Sequence, residues 1–272
     1  MKRPKILDKV NDPRYISGIY NYCDRWCERC QFTERCLNYD KSEKYIKDEE
    51  GKDVTNEKFL NNMHEIFKET MELIQYVSKE RGIDLSNIEP DPEFERKEKQ
   101  IRENAENHEL SKEAKKYTDI ARKWFISEKE LIENKQHELN KFIEMGLNEQ
   151  ETINTAFNIN DAIEIIRWYQ FQIYVKLMRA LSNKDDLFEF EGMEDFPSDA
   201  DGSTKVALIG IDRSIAAWGS FQKYFPDKFD DILDIILLLD SIRRQAEECF
   251  PKARGFVRAG FDTGESAVYE GE

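Results

Sequence analysis

Apolar residues recur at three- and four-residue spacing through most of the chain from Thr55 onward, and no useful length alternates apolar and polar residues as a strand does. Stripes of this kind fall in residues 59–77, 114–142, 153–181 and 206–224. A period of about 3.6 residues places them on one helix face, and each face must be buried against another helix. The sequence therefore predicts an all-α fold, a helical bundle with an up-and-down arrangement.

The N-terminal part of the chain differs in composition from the rest. It contains four of the five cysteines together with many aromatic residues, and it passes into the polar stretch KDEEGKDVTNEK. This shift predicts a cysteine-rich metal-binding module at residues 1–50, a helical bundle at 51–250 and an irregular tail at 251–272. Within the bundle, we expect a solvated charged helix or arm at about residues 90–110 and an acidic loop at about 183–202.

The clustered cysteines are the strongest indication of chemistry in the sequence. With the spacing C-x3-C-x2-C-x5-C, they are Cys23, Cys27, Cys30 and Cys36. Asp12 followed by Pro13 is typical of a helix start, so we predict a helix from about residue 13 toward the cluster. On that helix the first three cysteines share one face, and the fourth folds back to complete the set. Thiolates gathered in this way select zinc or an iron–sulfur cluster over calcium or magnesium.

The compact spacing favours the iron–sulfur interpretation. Structural zinc sites usually join two ligand pairs separated by a dozen or more residues, whereas all four cysteines here are local. Their pattern resembles that of ferredoxin-type clusters, although the spacing differs. The first three also match the spacing of radical S-adenosylmethionine enzymes, but a fourth cysteine and a helical chain do not fit that family. We therefore predict a [4Fe–4S] cluster with a structural, electron-transfer or redox-sensing role, with zinc or metal-free thiols as alternatives.

Zinc would favour a different function for the same segment. A zinc-stapled head without enzymatic activity would present Trp26, Phe32 and the neighbouring tyrosines to a protein partner. Arginines alternate with acids among the cysteines, and either they neutralise thiolate charge or they form surface ion pairs. These arginines are Arg25, Arg29 and Arg35.

The overall charge limits the classes of partner. The chain carries 56 acidic against 41 basic residues, for a formal net charge of −15. Such a surface repels nucleic-acid backbones and anionic lipid, so we expect a protein partner and neither nucleic acid nor membrane. No apolar run approaches the roughly 20 residues that span a bilayer, and the N-terminus lacks a signal-peptide pattern. These features predict a cytoplasmic protein with reduced thiols.

Acidic residues form a second group of candidates, within or beside the apolar stripes of four successive predicted helices. They are Glu128, Glu164, Asp212 and Asp240, and His64 shares an apolar face of an earlier helix. Buried carboxylates must be paired, hydrogen-bonded or metal-bound, so a metal-dependent oxidoreductase is a further alternative. No Glu-x-x-His motif of a di-iron bundle occurs, however. The simpler interpretation is ion pairing, and we expect Asp212 to contact Arg167, Arg213 or Arg243.

The remaining motifs identify neither a catalytic residue nor a small-molecule substrate. Cys249 stands alone near the end of a stripe and is interpreted as a small buried hydrophobe. The DADG at residues 199–202 lacks the further ligands of a calcium loop and is interpreted as a helix N-cap. No phosphate-binding glycine loop or serine nucleophile elbow occurs.

Overall fold

The computed structural model describes residues 3–4, 6–46, 54–85, 91–184 and 198–262. Within these ranges the chain forms α-helices joined by turns and short 3-10 helices, and it contains no strand, which confirms the all-α class. The α-helices are α1 (Ile6–Val10), α2 (Leu37–Ile46), α3 (Glu57–Glu80), α4 (Pro92–Asn107), α5 (Glu109–Ser127), α6 (Lys129–Glu144), α7 (Glu149–Ser182), α8 (Asp199–Tyr224) and α9 (Phe229–Cys249). Most of the predicted acidic loop and the last ten residues of the predicted tail lie outside the described residues.

The chain divides into two compact units. One, here called the cysteine unit, comprises Met1–Arg96 together with Val257–Glu272, and the other, the helical unit, comprises Lys97–Phe256. The helix α3 and the segment after residue 256 therefore group with the cysteines. These limits differ from the sequence-based division at residues 50 and 250, which stays a prediction.

The cysteine unit has a small apolar interior. Its described buried apolar side chains are Ile16, Ile19, Trp26, Leu37 and Tyr45. Helix α2 is tied to α3 by Asn62, whose Nδ2 donates to the Tyr45 carbonyl at 2.5 Å. Asn56 caps the start of α3 by accepting from the Lys58 amide at 2.9 Å. The helix stops before Gly82, which has a left-handed φ of 67°, as the sequence pattern indicates.

The predicted helix from residue 13 toward the cysteines is wrong. Residues 13–26 form turns, and the cysteine segment beyond them contains only two short 3-10 helices, Cys27–Arg29 and Thr33–Arg35. Two residues in the left-handed region interrupt any α-helical path, Gly18 with φ 72° and Arg25 with φ 57°. The first three cysteines therefore do not share a helical face.

The helical unit contains the main apolar core. Helices α7 and α8 pack along each other, and α5 and α9 join them. The two long helices come very close at Gly210, where a Cβ would lie 2.8 Å from Tyr169 Cδ1. Trp218 is fully buried, and its ring meets that of Trp124 edge to face at 5.1 Å. The periodic stripes of the sequence thus correspond to a packed aromatic core.

The charged segment at about residues 90–110 contains helix α4. Helix α4 has one buried residue, Ala105, and its polar side chains are mostly exposed. Its N-terminal end begins with Pro92, and the Asp91 carboxylate accepts from the Glu93 amide at 2.9 Å. Among the described helices, none has the length and apolar character needed to cross a membrane.

Candidate metal centre

All four clustered cysteines line one cavity of the cysteine unit. The cavity measures about 30 Å³, and its remaining walls are largely apolar, with Ile19, Trp26 and Phe261 among them. Each of the four cysteines is half-buried, and none is disulfide-bonded. Cys249 belongs to the helical unit, where it ends α9, and it is half-buried rather than buried. The turns therefore bring together the residues that the sequence singles out, by a route other than a helix face.

A backbone amide points at one of the sulfur atoms. The Phe32 amide donates to Cys30 Sγ at 3.4 Å, from two residues after the cysteine. Amides aimed at sulfur stabilise the thiolate, the form that binds metal. The thiol of Cys23 in turn faces the Tyr20 carbonyl at 3.6 Å.

Burial opposes ionisation of these thiols. It raises the pKa of Cys23, and this outweighs the lowering by the Arg25 amide and guanidinium. Burial also raises the pKa of Cys27, and repulsion from the other three sulfurs adds to the effect. Without a cation these two thiols therefore hold their protons at neutral pH, and binding of a metal ion would release them.

The backbone at Arg25 is strained. A left-handed φ of 57° is unfavourable for a residue with a Cβ, yet Arg25 adopts it between two of the cysteines. The turn is fixed by Asp24, which accepts from the Trp26 amide at 3.2 Å. Buried Trp26 is covered by the Arg29 guanidinium at 4.1 Å from the ring centroid. Strain that is maintained by its surroundings is typical of functional sites.

As the thiols stand, no three His, Cys, Asp or Glu side chains in the described part of the chain are arranged to hold a metal ion. The donor types and their common cavity nevertheless fit a thiolate-bound centre.

Asp212 is paired with arginines, as expected. Its carboxylate contacts Arg254 Nη1 at 2.6 Å and Arg243 Nη1 at 3.6 Å. Arg243 is one of the three predicted partners, whereas the closer contact with Arg254 was not predicted. Arg254 also contacts Glu247 at 2.6 Å. About two fifths of the Asp212 side chain is exposed, so the acid is less buried than its position among apolar neighbours indicates.

Of the other candidate acids, Asp240 shares Arg243 with Asp212, and the rest lie apart from that pair. Asp240 pairs with Arg243 and with Arg244, the latter at 2.6 Å, and Glu128 accepts from Lys228 Nζ at 2.9 Å. Glu164 is exposed on α7. In the cysteine unit, His64 is exposed on α3. Within the described residues these groups form no cluster able to hold a metal ion.

The segment after residue 256 was missed by sequence reasoning. It lies in the cysteine unit, and its Phe261 both lines the cavity and meets Phe32 edge to face at 5.1 Å. The spacing of the tail gives no periodic signal, because the contact joins residues more than two hundred positions apart. An aromatic residue next to a glycine was the only local sign.

Comparisons with models of protein families, with curated proteins and with solved structures find no match for this chain.

Proposed function

We propose that the protein binds a metal centre through the thiolates of Cys23, Cys27, Cys30 and Cys36. The observation that carries this proposal is their position around one cavity, with the Phe32 amide donating to Cys30 Sγ. Four soft donors with no competing carboxylate in the cavity wall other than Asp24 favour zinc or iron–sulfur ligation. Free thiols of this kind fit a reducing compartment such as the cytoplasm.

The first candidate is a [4Fe–4S] cluster with a structural, electron-transfer or redox-sensing role. Hydrogen bonds to ligand sulfurs, low solvent exposure and neighbouring charge set the reduction potential of such clusters. The Phe32 amide, the apolar wall and the charge of the Arg25 side chain would supply these influences. When bound, the cluster would supply one-electron transfer, while the chain holds the sulfurs and excludes water.

Zinc is the second candidate. Four cysteine thiolates are also a complete ligand set for a tetrahedral structural zinc ion. Helix α3 of the same unit has an exposed apolar face, with Leu60, Phe67, Met71 and Ile74. With zinc, the function we propose is a stapled module that uses such a surface to bind a protein partner.

Anaerobic purification followed by metal and sulfide analysis tests the proposal. A cluster predicts a brown protein with visible charge-transfer absorption and about four irons and four sulfides per chain. Zinc predicts a colourless protein with one ion, because its d shell is filled. Cys30→Ser should remove the metal in either case. The matched control is Cys249→Ser, which should leave the metal content unchanged.

A wild-type protein that contains neither iron nor zinc after growth with both metals contradicts the proposal. Retention of full metal content by Cys30→Ser would also contradict it, because one of the four thiolates would then be dispensable.

A further inference from the structure

We infer that the segment 257–262 is a built-in cover of the cysteine cavity, and that Phe261 is the side chain that limits access to the sulfurs. This inference concerns protection of the site, and so it rests on the proposed function. Phe261 lines the cavity together with all four cysteines. It is distant from them in sequence, so its place in the wall depends on how the segment is held.

Gly260 allows the segment to approach closely. Its φ is 77°, a left-handed value that L residues rarely adopt. A Cβ built on it would lie 3.0 Å from Ile19 Cδ1 and 3.1 Å from Ile16 Cδ1. Both isoleucines are buried, so neither can move aside without disturbing the interior of the unit. The glycine thus sets both the turn and the distance at which the next residue, Phe261, is placed.

Arg258 and Asp262 hold the turn around Phe261. The Asp262 carboxylate accepts from the Arg258 amide at 2.9 Å and from its guanidinium at 2.9 and 3.0 Å. The Phe261 and Asp262 amides both donate to the Arg258 carbonyl at 3.2 Å. The guanidinium also lies over the Phe261 ring, 4.8 Å from its centroid. The ring is therefore held by the guanidinium as well as by the turn.

Phe261 packs against Phe32, whose amide donates to one of the sulfurs. Its ring packs edge to face on Phe32, with centroids 5.1 Å apart and an angle of 86°. The Phe32 amide donates to Cys30 Sγ. Loss of the Phe261 ring would therefore open the cavity wall and loosen the turn that carries this amide.

Alkylation of the protein as purified tests the cover. Reaction with iodoacetamide is followed at each cysteine by mass spectrometry, and Cys249 in the helical unit serves as the internal reference. In Phe261→Ala, we expect alkylation of the four clustered cysteines to accelerate about fivefold relative to Cys249, as loss of an aromatic pair predicts. Val257→Ala is the matched control, since Val257 is exposed in the same segment and does not line the cavity.

A second variant tests the cover even if Phe261→Ala does not fold. Gly260→Ala keeps the ring but adds a Cβ against Ile16 and Ile19, so it should accelerate alkylation in the same direction. Unchanged rates in both variants would overturn the cover, and so would an equal acceleration in Val257→Ala. Metal content is measured on the same samples. A metal-free wild-type protein would overturn the proposed function, while the relative alkylation rates would still decide whether Phe261 covers the cavity.

Discussion

The two units bury very different amounts of apolar side chain. In the helical unit, Trp218, Tyr117, Tyr169 and Phe221 are all fully buried, with aliphatic residues packed around them. In the cysteine unit the described apolar interior consists of five side chains, and only Ile19 among them is less than 5% exposed. Burial of apolar area is the main stabilising contribution to folding, so the helical unit has a core of its own.

The cysteine unit instead contains several features that do not contribute to an apolar core. It has four thiols around one cavity, a strained arginine and a distant aromatic residue in the cavity wall. Small units with few buried side chains usually require a disulfide, a metal or a partner for stability. The comparison indicates that the helical unit has a stabilising core of its own, whereas under the proposed function the cysteine unit depends on what its thiols bind.

Removal of the metal should produce the largest difference in stability between the two units. A structural metal contributes on the order of 10 kcal/mol to folding of a small thiolate site. We expect Cys30→Ser, or chelation of the wild-type protein, to abolish protection from hydrogen exchange in α2 and in the turns before it. Protection in α7 and α8 should stay unchanged. Equal protection of the cysteine unit with and without metal would mean that its few buried side chains suffice.

A buried phenol should make the helical unit sensitive to alkaline pH. Full burial raises the pKa of Tyr117 to about 12, and the hydrogen bond from Trp218 Nε1 only partly opposes this. Between pH 10 and 12 the unfolded chain loses this proton while the folded one keeps it. The free energy of unfolding should therefore fall by about 1.4 kcal/mol per pH unit in that window, and not below it.

Urea unfolding of the helical unit at a series of pH values measures this loss. Tyr117→Phe is the control, because it removes the ionisable group and keeps the ring. Its stability should fall less steeply above pH 10 than that of the wild type. Parallel curves for the two proteins would show that the hydroxyl ionises freely in the folded state.

Two glycines of α8 provide a matched test of packing in the helical unit. Gly210 faces Tyr169, and a Cβ there would lie 2.8 Å from the ring, whereas a Cβ at Gly219 would meet nothing within 4 Å. Gly210→Ala should cost about 1–3 kcal/mol by overpacking, and Gly219→Ala should stabilise by about 0.5–1 kcal/mol through helix propensity. Thermal unfolding should show opposite shifts. Shifts of the same sign would contradict the close approach of α7 and α8.

Sequence periodicity was sufficient to predict that the helical unit consists of helices, but not how deeply each helix is buried. The stripes predict helices, but the single stripe at 114–142 is divided at Glu128 into α5 and α6. The small residues around Gly210 indicate a close approach. The stretch DDILDIILLLDSI, however, suggests a helix buried all round, yet Leu237 on α9 is 53% exposed and Leu233 is also exposed. Helix α8 is the more buried of the two. Composition of one helix does not reveal which neighbours cover it, and this depends on the whole bundle.

In the cysteine unit, sequence reasoning identified the residues of the candidate site but not their geometry. The spacing of the four cysteines was enough to group them. Asp12 resembles a helix cap, but its carboxylate accepts from the Arg14 amide at 3.0 Å within a turn. The side chains of Asp and Asn serve turns and helix starts equally well, so the local pattern is ambiguous. The contribution of Phe261 depends on a long-range contact that no local pattern encodes.

The smallest predicted effect concerns the strained backbone at Arg25. Two substitutions there separate the effect of backbone strain on metal binding from the effect of the side chain. Glycine adopts a φ of 57° without the Cβ clash, so Arg25→Gly should relieve about 1 kcal/mol of strain, partly offset by greater freedom of the unfolded chain. Arg25→Ala keeps the strain and removes the guanidinium that favours the Cys23 thiolate. If the turn geometry matters most, Arg25→Gly should hold metal at least as tightly as Arg25→Ala, measured by competition with a chelator. Tighter binding by Arg25→Ala would show that the arginine conformation is not a source of strain. Arg25 lies outside the helical unit, so the helical unit should unfold identically in both variants. Its unfolding is therefore the reference for the comparison.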